Sequence, residues 1–405
     1  MTAPGGWPII GWARTPIAPV GGALAHCAPH DLAAPLARHL LDRAGLPAHA
    51  VDTVVLGNAL GAGGNPARLL ALAAGLPEAT PALTLDSQCC SGMDAITQAC
   101  ALLALGQAQL VLAGGSESWS RAPLRMHAPR AAGGAPQPYA QPAFTPWPQR
   151  DPDMLDAAAD AAAALGLTRT LQEDYALLAH ARACALHSAM QGAVQADTVA
   201  LAGLARDGFP RAYSTRRAAR LPAVRQRADA RGRDCSLTAL TVAPKADGAA
   251  LLLLAHPDAC RRWQLRPRAL WLDACARGGA PEAPMLCAQQ AAAALLQRHG
   301  LQPRQLAAIE LHDAFAAQGL AFADALGLPW QALNAGGGAL ARGHPIGASG
   351  AIAVVHALGH LAAANASTGA PALACVAGAG GLGSATLLAS CNGLIPFLYR
   401  SSTRR

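Results

Sequence analysis

Of the 31 basic side chains in this chain only one, Lys245, is a lysine; the rest of the positive charge is arginine. So strong a bias reflects codon usage as much as a need for guanidinium chemistry. Charged residues make up 14% of the sequence and aromatics 4%. The net charge of +7 could suit nucleic acid, but the aromatics and recognition motifs that accompany such binding are missing. A phosphate-bearing small molecule fits the charge equally well. No run of about 18 apolar residues escapes interruption by Gly, Pro or charge, so no membrane insertion is expected. The opening MTAPGGWPIIGWARTP lacks the charged-then-apolar layout of a secretory signal. The 11 cysteines are odd in number and show no CxxC spacing, which speaks against a disulfide framework or a metal site. A cytoplasmic protein with free thiols is the expectation.

What is present is small and apolar. The 405 residues are 52% hydrophobic and include 41 Gly, a composition that suits a tightly packed α/β protein with a large core. Ile9–Trp12 reads as a strand, Asp31–Ala44 as a helix, Val51–Gly57 as a strand rich in β-branched residues, and Asn65–Gly75 as a helix opened by Asn-Pro. Leu83 and Leu85 mark a short strand, a helix follows from about Ser91, and Gln109–Ala113 is a further strand. This alternation predicts βαβ units and a largely parallel sheet. Residues 121–152 are rich in Pro and Gly and read as loop. Helical spacing returns over Met154–Leu165 and Leu171–Met190. Between Arg206 and Arg233 lie nine arginines and two acidic residues, either a solvated basic surface or a phosphate-holding one. Residues 121–245 thus form an insertion, and Ala249–Ala255 resumes with a buried-strand pattern.

The second half repeats the first in outline. AIELHDAF at 308–315 lines up with TVVLGNAL at 53–60, and each precedes an Ala/Leu-rich segment ending in Gly-Leu-Pro. GASGAI at 347–352 places Ser-Gly at the start of an apolar helix, as residues 89–95 do. The boundaries expected are residues 1–120 with 246–265 for one half, 121–245 for the insertion and 266–405 for the other half. Such a duplication would bring corresponding helix starts together near a pseudo-two-fold axis.

Cys89 and Cys90 stand where a strand ends and a helix begins. Unpaired N–H groups and the helix dipole favour a thiolate there, although two buried cysteines acting as small hydrophobes would look the same. His344 lies in NAGGGALARGHPIGASG, with six glycines in seventeen residues, between Gly343 and Pro345. An imidazole near a thiol can serve as its base at neutral pH. His312 ends a strand and either donates to a developing oxyanion or is satisfied by Asp313 and local backbone. Cys375, in ALACV before GAGGLG, is either a buried strand cysteine or an acid–base partner.

The segments RTP at 14–16, GNALGAGGNPAR at 57–68, SQCCSG at 87–92, GGSESWS at 114–120, HDAFAAQ at 312–318 and GHPIGASGA at 343–351 resemble those of thiolases, in the family's order and at about its spacing. EDYALLAHARA at 173–183 is similar to a family helix. The resemblance implies a five-layered α/β/α/β/α fold of two similar halves with an inserted loop domain. It implies that Cys89 carries the acyl group, that His344 activates it, and that His312 helps to form an oxyanion site. A second oxyanion site would combine the backbone N–H of Cys89 with the turn containing Gly378, Gly380 and Gly381. CoA and acyl-CoA would be substrates, with no metal or other cofactor, and the assembly would be a homodimer or homotetramer.

Three departures accompany the match. The second catalytic cysteine of the family falls by gapless counting on Ala377, with Cys375 two residues earlier on the same strand face. Ala243 stands where a serine or threonine commonly contacts pantetheine, and a frequent family histidine is lacking around Asp153. The leading expectation is a 3-ketoacyl-CoA thiolase or its reverse, a Claisen condensation. The alternatives are a ketosynthase-like transferase using an acyl-carrier protein and a non-catalytic acyl-CoA-binding homologue.

Overall fold

In a computed structural model the described residues are 5–61, 63–139, 141–189, 197–363 and 369–391. Nine long strands build the main sheet: β1 (Trp7–Arg14), β2 (Thr53–Gly57), β3 (Ala82–Leu85), β4 (Leu110–Ser118), β5 (Ala246–Ala255), β6 (Ala269–Gly278), β7 (Ala308–His312), β8 (Pro371–Gly378) and β9 (Leu382–Ser390). The short segment Ala18–Pro19 adds a tenth beside β5. The order is β7-β8-β9-β6-β1-β5-β4-β2-β3, so β1 joins two groups of strands by pairing antiparallel with both β5 and β6. The parallel pairs are β2 with β3, β2 with β4, and β7 with β8. The sheet is therefore mixed. The expected parallel βαβ units are present, interleaved with antiparallel strands at the centre.

Most strands bury both faces, which is why β4, β5 and β8 read as continuous runs of small apolar residues and do not alternate. The helices of eight residues or more among the described residues are α1 (Pro29–Ala44), α2 (Pro66–Ala73), α3 (Ser91–Ala104), α4 (Met154–Ala164), α5 (Arg169–Ala189), α6 (Cys287–Arg298), α7 (Ala316–Ala325) and α8 (Ser349–Ala363). Met190, expected at the end of α5, and residues 392–405 of the second half lie outside the described residues. Helix α1 begins with Pro29 at its first turn and stops at Gly45, whose φ of 65° supplies the left-handed cap.

The layering follows from which helices share a core with which strands. Helices α3 and α8 are sandwiched in the middle: Met93, Ile96, Val354, Val355 and Leu358 pack with Trp12 and Leu252 of one half and with Val376 and Leu388 of the other. Helix α1 covers the outer face of one half through Leu32, Leu36 and Leu40, against Leu251 and Leu253. Helix α6 covers the other through Ala291 and Leu295, against Leu373 and Leu387. Two sheet layers thus lie between three helical layers.

The two central helices touch through glycines at equivalent places. A Cβ on Gly92 would come within 2.8 Å of Gly347 O, and one on Gly350 within 2.8 Å of Met93 Cβ. The paired Ser-Gly helix starts that suggested a duplication therefore do meet.

Among the described residues, 121–152 carry single turns and one pair of two-residue strands, and α4 and α5 follow. This region is pinned to the sheet by a buried ion pair in which Arg14 Nη1 lies 2.7 Å from Asp207 Oδ1. Burial opposes the Asp207 charge, but Arg14 and Arg342 outweigh it and hold the carboxyl below its ordinary range. Part of the arginine-rich stretch is committed to protein carboxylates. Arg225 and Arg227 share Asp156 of α4, Arg225 also reaches Asp153, Arg227 binds Asp160, and Arg233 binds Asp229. Three of the nine arginines considered for phosphate are thus already paired.

Candidate active site

Cys89 sits in a tight turn between β3 and α3. Gln88 takes a left-handed φ of 57°, and its N–H donates to Asp86 Oδ1 at 2.8 Å. The hydroxyl of Ser91 donates to Gln88 O at 2.6 Å and accepts from Ser87 N at 2.9 Å, closing the turn. The turn leaves Cys89 part-buried and directs Cys90 into the core, where 1% of its surface is exposed. The two adjacent thiols are separated by direction, not by chemistry.

The other half supplies the partner. His344 Nε2 lies 3.3 Å from Cys89 Sγ across 255 residues of chain. His344 Nδ1 is 2.7 Å from Ser349 Oγ, and that hydroxyl donates onward to Pro345 O at 3.0 Å. Ser349 spends its proton on the carbonyl, so it accepts from His344 Nδ1–H, and Nε2 is left with a lone pair facing the thiol. The backbone of the histidine is fixed as well. His344 N donates to Pro244 O at 2.7 Å and Trp119 Nε1 donates to His344 O at 3.1 Å.

Burial sets the resting charges. It pushes the Cys89 thiol up to about 12, against the opposing effect of the backbone N–H groups of Ala379 and of Cys89 itself. It pulls His344 down to about 4. The pair therefore rests as thiol and neutral imidazole, the state in which Nε2 acts as a general base.

A cavity of about 550 Å³ opens onto Cys89 and His344. Its walls are mostly apolar, among them Leu60, Phe144, Met154, Met285 and Phe315. Of the expected substrate-contacting residues, Ala243 and Gly378 line it. Gly380 and Gly381 do not. They have φ of 78° and 82° and carry the β8–β9 hairpin, so they shape the turn that presents Ala379.

Cys375 is not in the cavity either. It shares a face of β8 with Ala377, as the pleat requires, but one pleat deeper, fully buried with Leu295 and Leu387 in the core beneath α6. Burial raises its pKa further from any working range. Ala377 lines the cavity in its place, and so does Ala314 of the HDAF segment. The position where a second thiol was considered carries a methyl group.

His312 packs against His344, with ring centroids 4.3 Å apart, and is nearly inaccessible. Asp313 does not satisfy it; that carboxylate accepts from Tyr175 Oη at 3.0 Å and from Ala339 N. The Nε2 of His312 is buried without a hydrogen-bond partner among the described residues. Burial and the adjacent His344 hold its pKa well below the usual range, so it stays neutral. It lies behind the Cys89–His344 pair, not on the cavity wall.

Three residues of the site were not legible as such. Glu117, inside GGSESWS, is 1% exposed and accepts from Ala59 N at 2.8 Å and Gly347 N at 2.9 Å, tying the loop after β2 to the His344 loop. Trp119 and Lys245 both line the cavity, with Lys245 Nζ 4.3 Å from the indole centroid. The only sequence signal for Lys245 was its being the sole lysine. No group of three or more His, Cys, Asp or Glu side chains among the described residues is placed to hold a metal ion.

Two β-rich halves, a helix pair buried between them and a cysteine–histidine pair drawn from both halves define a duplicated α/β enzyme of the thiolase type. The chain matches the family model for the thiolase N-terminal domain over residues 8–258 and that for the C-terminal domain over 265–390; it belongs to the thiolase family. It is 36% identical over 350 residues to the putative acetyl-CoA C-acetyltransferase YhfS of Bacillus subtilis, covering 85% of this chain and 89% of the relative. It is 32% identical over 357 residues to the putative acetyl-CoA C-acetyltransferase VraB of Staphylococcus aureus, covering 85% and 90%. Among solved structures, human mitochondrial 3-ketoacyl-CoA thiolase in complex with CoA superposes with a TM-score of 0.86 at 26% identity, covering 95% of this chain and 98% of the other. The Acat5 thiolase from Ascaris suum in complex with coenzyme A gives a TM-score of 0.84 at 28% identity, covering 95% and 100%.

Proposed function

We propose that this protein is an acyl-CoA C-acyltransferase that cleaves a 3-ketoacyl-CoA with CoA, or runs the reverse condensation, through an acyl group on Cys89. The observation that carries this reading is the 3.3 Å approach of Cys89 Sγ to Nε2 of His344 in a large, mostly apolar cavity. His344 takes the Cys89 proton as the sulfur attacks the keto carbon. The Cα–Cβ bond breaks, and its electron pair goes to acetyl-CoA as an enolate. With a methyl group at Ala377, the imidazolium just formed returns the proton to carbon. CoA thiol then attacks the acyl-Cys89 thioester, its proton passing through His344 back to Cys89. The N–H groups of Cys89 and Ala379 suit the oxyanion of the thioester steps.

The test is mass spectrometry of the protein after mixing with a 3-ketoacyl-CoA, together with assay of acetyl-CoA release. An acyl adduct on Cys89 and acetyl-CoA formation are expected, with both absent in Cys89→Ala. Unchanged turnover in that variant would falsify the role of the thiol.

One observation favours a second reading. The cavity has no second thiol, since Cys375 is buried beneath it. A site with one thiol and one base can exchange acyl groups between thiols without making or breaking a carbon–carbon bond. A Cys89 adduct formed from saturated acyl-CoA, with no acetyl-CoA from any 3-ketoacyl-CoA, would select it.

A further inference from the structure

We infer that Lys245 makes this cavity selective for acyl groups that end in a carboxylate, that is, for CoA half-thioesters of 3-oxo dicarboxylic acids. The inference rests on the acyl-CoA reading above and adds the substrate class.

The cavity's charges do not balance. Its lining contains two cations, Lys245 and Arg125, and one carboxylate, Asp153. Asp153 is already bound by Arg225 at 3.3 Å and caps α4 by accepting from Leu155 N at 2.9 Å. Arg125 gives Nη2 to the carbonyls of Leu60 and Ala59, 2.5 and 3.4 Å away. Lys245 has no carboxylate within ion-pair distance among the described residues. Its ammonium rests over the face of Trp119 at 4.3 Å. An aromatic face attracts a cation on one side only, and an ammonium has three donors to place. The side chain is exposed, so those donors are open to solvent and to the anion of an arriving ligand.

Position decides which anion. The backbone of Lys245 forms a parallel bridge with that of His344, and Trp119 donates to His344 O at 3.1 Å. The ammonium therefore belongs to the reacting end of the cavity. The phosphates of CoA are a whole pantetheine arm away from its sulfur, so a cation beside the catalytic histidine meets the acyl group instead. The cavity lining as a whole is mostly apolar, which suits the methylenes of a short chain with a charged end.

The experiment compares a 3-oxoacyl-CoA ending in a carboxylate with its methyl-ended counterpart of the same length, on the wild-type chain, Lys245→Met and Lys245→Arg. The wild type should prefer the carboxylate by at least about tenfold in kcat/KM at low salt, roughly 1.4 kcal/mol. Lys245→Met should erase that ratio mainly through KM, and Lys245→Arg should keep part of it. Equal use of both substrates by the wild type overturns the inference. So does a rise in the KM for CoA itself in Lys245→Met with the ratio intact, which would assign the ammonium to phosphate. So too does an equal loss of kcat on both substrates, which would place Lys245 in the chemical step. Acyl-Cys89 formation, read by mass in the same samples, separates the two levels. No adduct from either substrate means that the parent reading has failed, and equal adducts from both mean that only this one has.

Discussion

Ala377 and Cys375 share one face of strand β8, yet only Ala377 reaches the cavity while Cys375 is sealed beneath helix α6. That two-residue step is about 7 Å of extended chain, more than a hydrogen bond can bridge. Cys375→Ala is therefore expected to leave acyl transfer unchanged while lowering stability by about 1–2 kcal/mol, as for other losses of a buried side-chain group. Melting temperature and turnover, measured on the same sample, check both. A loss of turnover with an unchanged melting point would contradict the placement.

The complementary change, Ala377→Cys, adds a thiol to the cavity lining. Proton transfer to the enolate would then no longer depend on His344 alone, and acetyl-CoA release from a 3-ketoacyl-CoA should rise relative to simple acyl exchange. The ratio of the two rates is the readout, and a general acid can contribute on the order of a hundredfold.

The Ser349 hydroxyl fixes the tautomer of His344 through a 2.7 Å contact to Nδ1. Ser349→Ala should slow Cys89 acylation about five- to tenfold, the equivalent of one hydrogen bond of about 1 kcal/mol. Ser349→Thr, which keeps the hydroxyl, should recover part of it. Rapid-quench measurement of the adduct distinguishes this from a folding defect.

The pH dependence follows from the direction of the two shifts. His344 is pulled down to about 4, so it is already an available base throughout the neutral range. Cys89 is pushed up to about 12, so the free thiolate is scarce over the same range. The acylation rate constant should be flat between about pH 6 and 9 and fall only as acid protonates His344. A preformed thiolate–imidazolium pair would instead show iodoacetamide labelling of Cys89 that is already fast and level at pH 6. Slow labelling that rises with pH is the expected result.

Gly350 tests the junction of the halves. Alanine there would gain at most about 1 kcal/mol of helix propensity. Its methyl would meet Met93 Cβ at 2.8 Å, an overpacking that costs about 1–3 kcal/mol. The clash should win, and Gly350→Ala should melt earlier than the parent and lose the Cys89–His344 approach. Thermal denaturation together with the acylation rate provides the check.

Local pattern was enough for much of the fold. Helix α1 and strands β1, β2 and β4 appear within a few residues of where periodicity and capping put them. Strands β6 and β9 and helix α6 went unread, because β9 is buried nearly throughout and carries no alternation to separate strand from helix. The arginines of residues 206–233 showed the same limit. The partners of Arg225 and Arg227, which are Asp153, Asp156 and Asp160, lie some seventy residues earlier, in and just before a helix whose docking no local spacing predicts.

The candidate site divides along the same line. Sequence alone determined that a thiol stands at the strand-to-helix junction of SQCCSG and that a histidine stands in a glycine-rich turn of the other half, because turn and helix-start chemistry is local. Tertiary structure decided that Cys89 faces the cavity and Cys90 the core, that Cys375 lies beneath the floor, and that the sole lysine meets Trp119 at the cavity wall. Those outcomes depend on how the two groups of strands and the two central helices stack. A one-residue change of direction or a two-residue change of depth there decides whether a side chain meets substrate or only its own core.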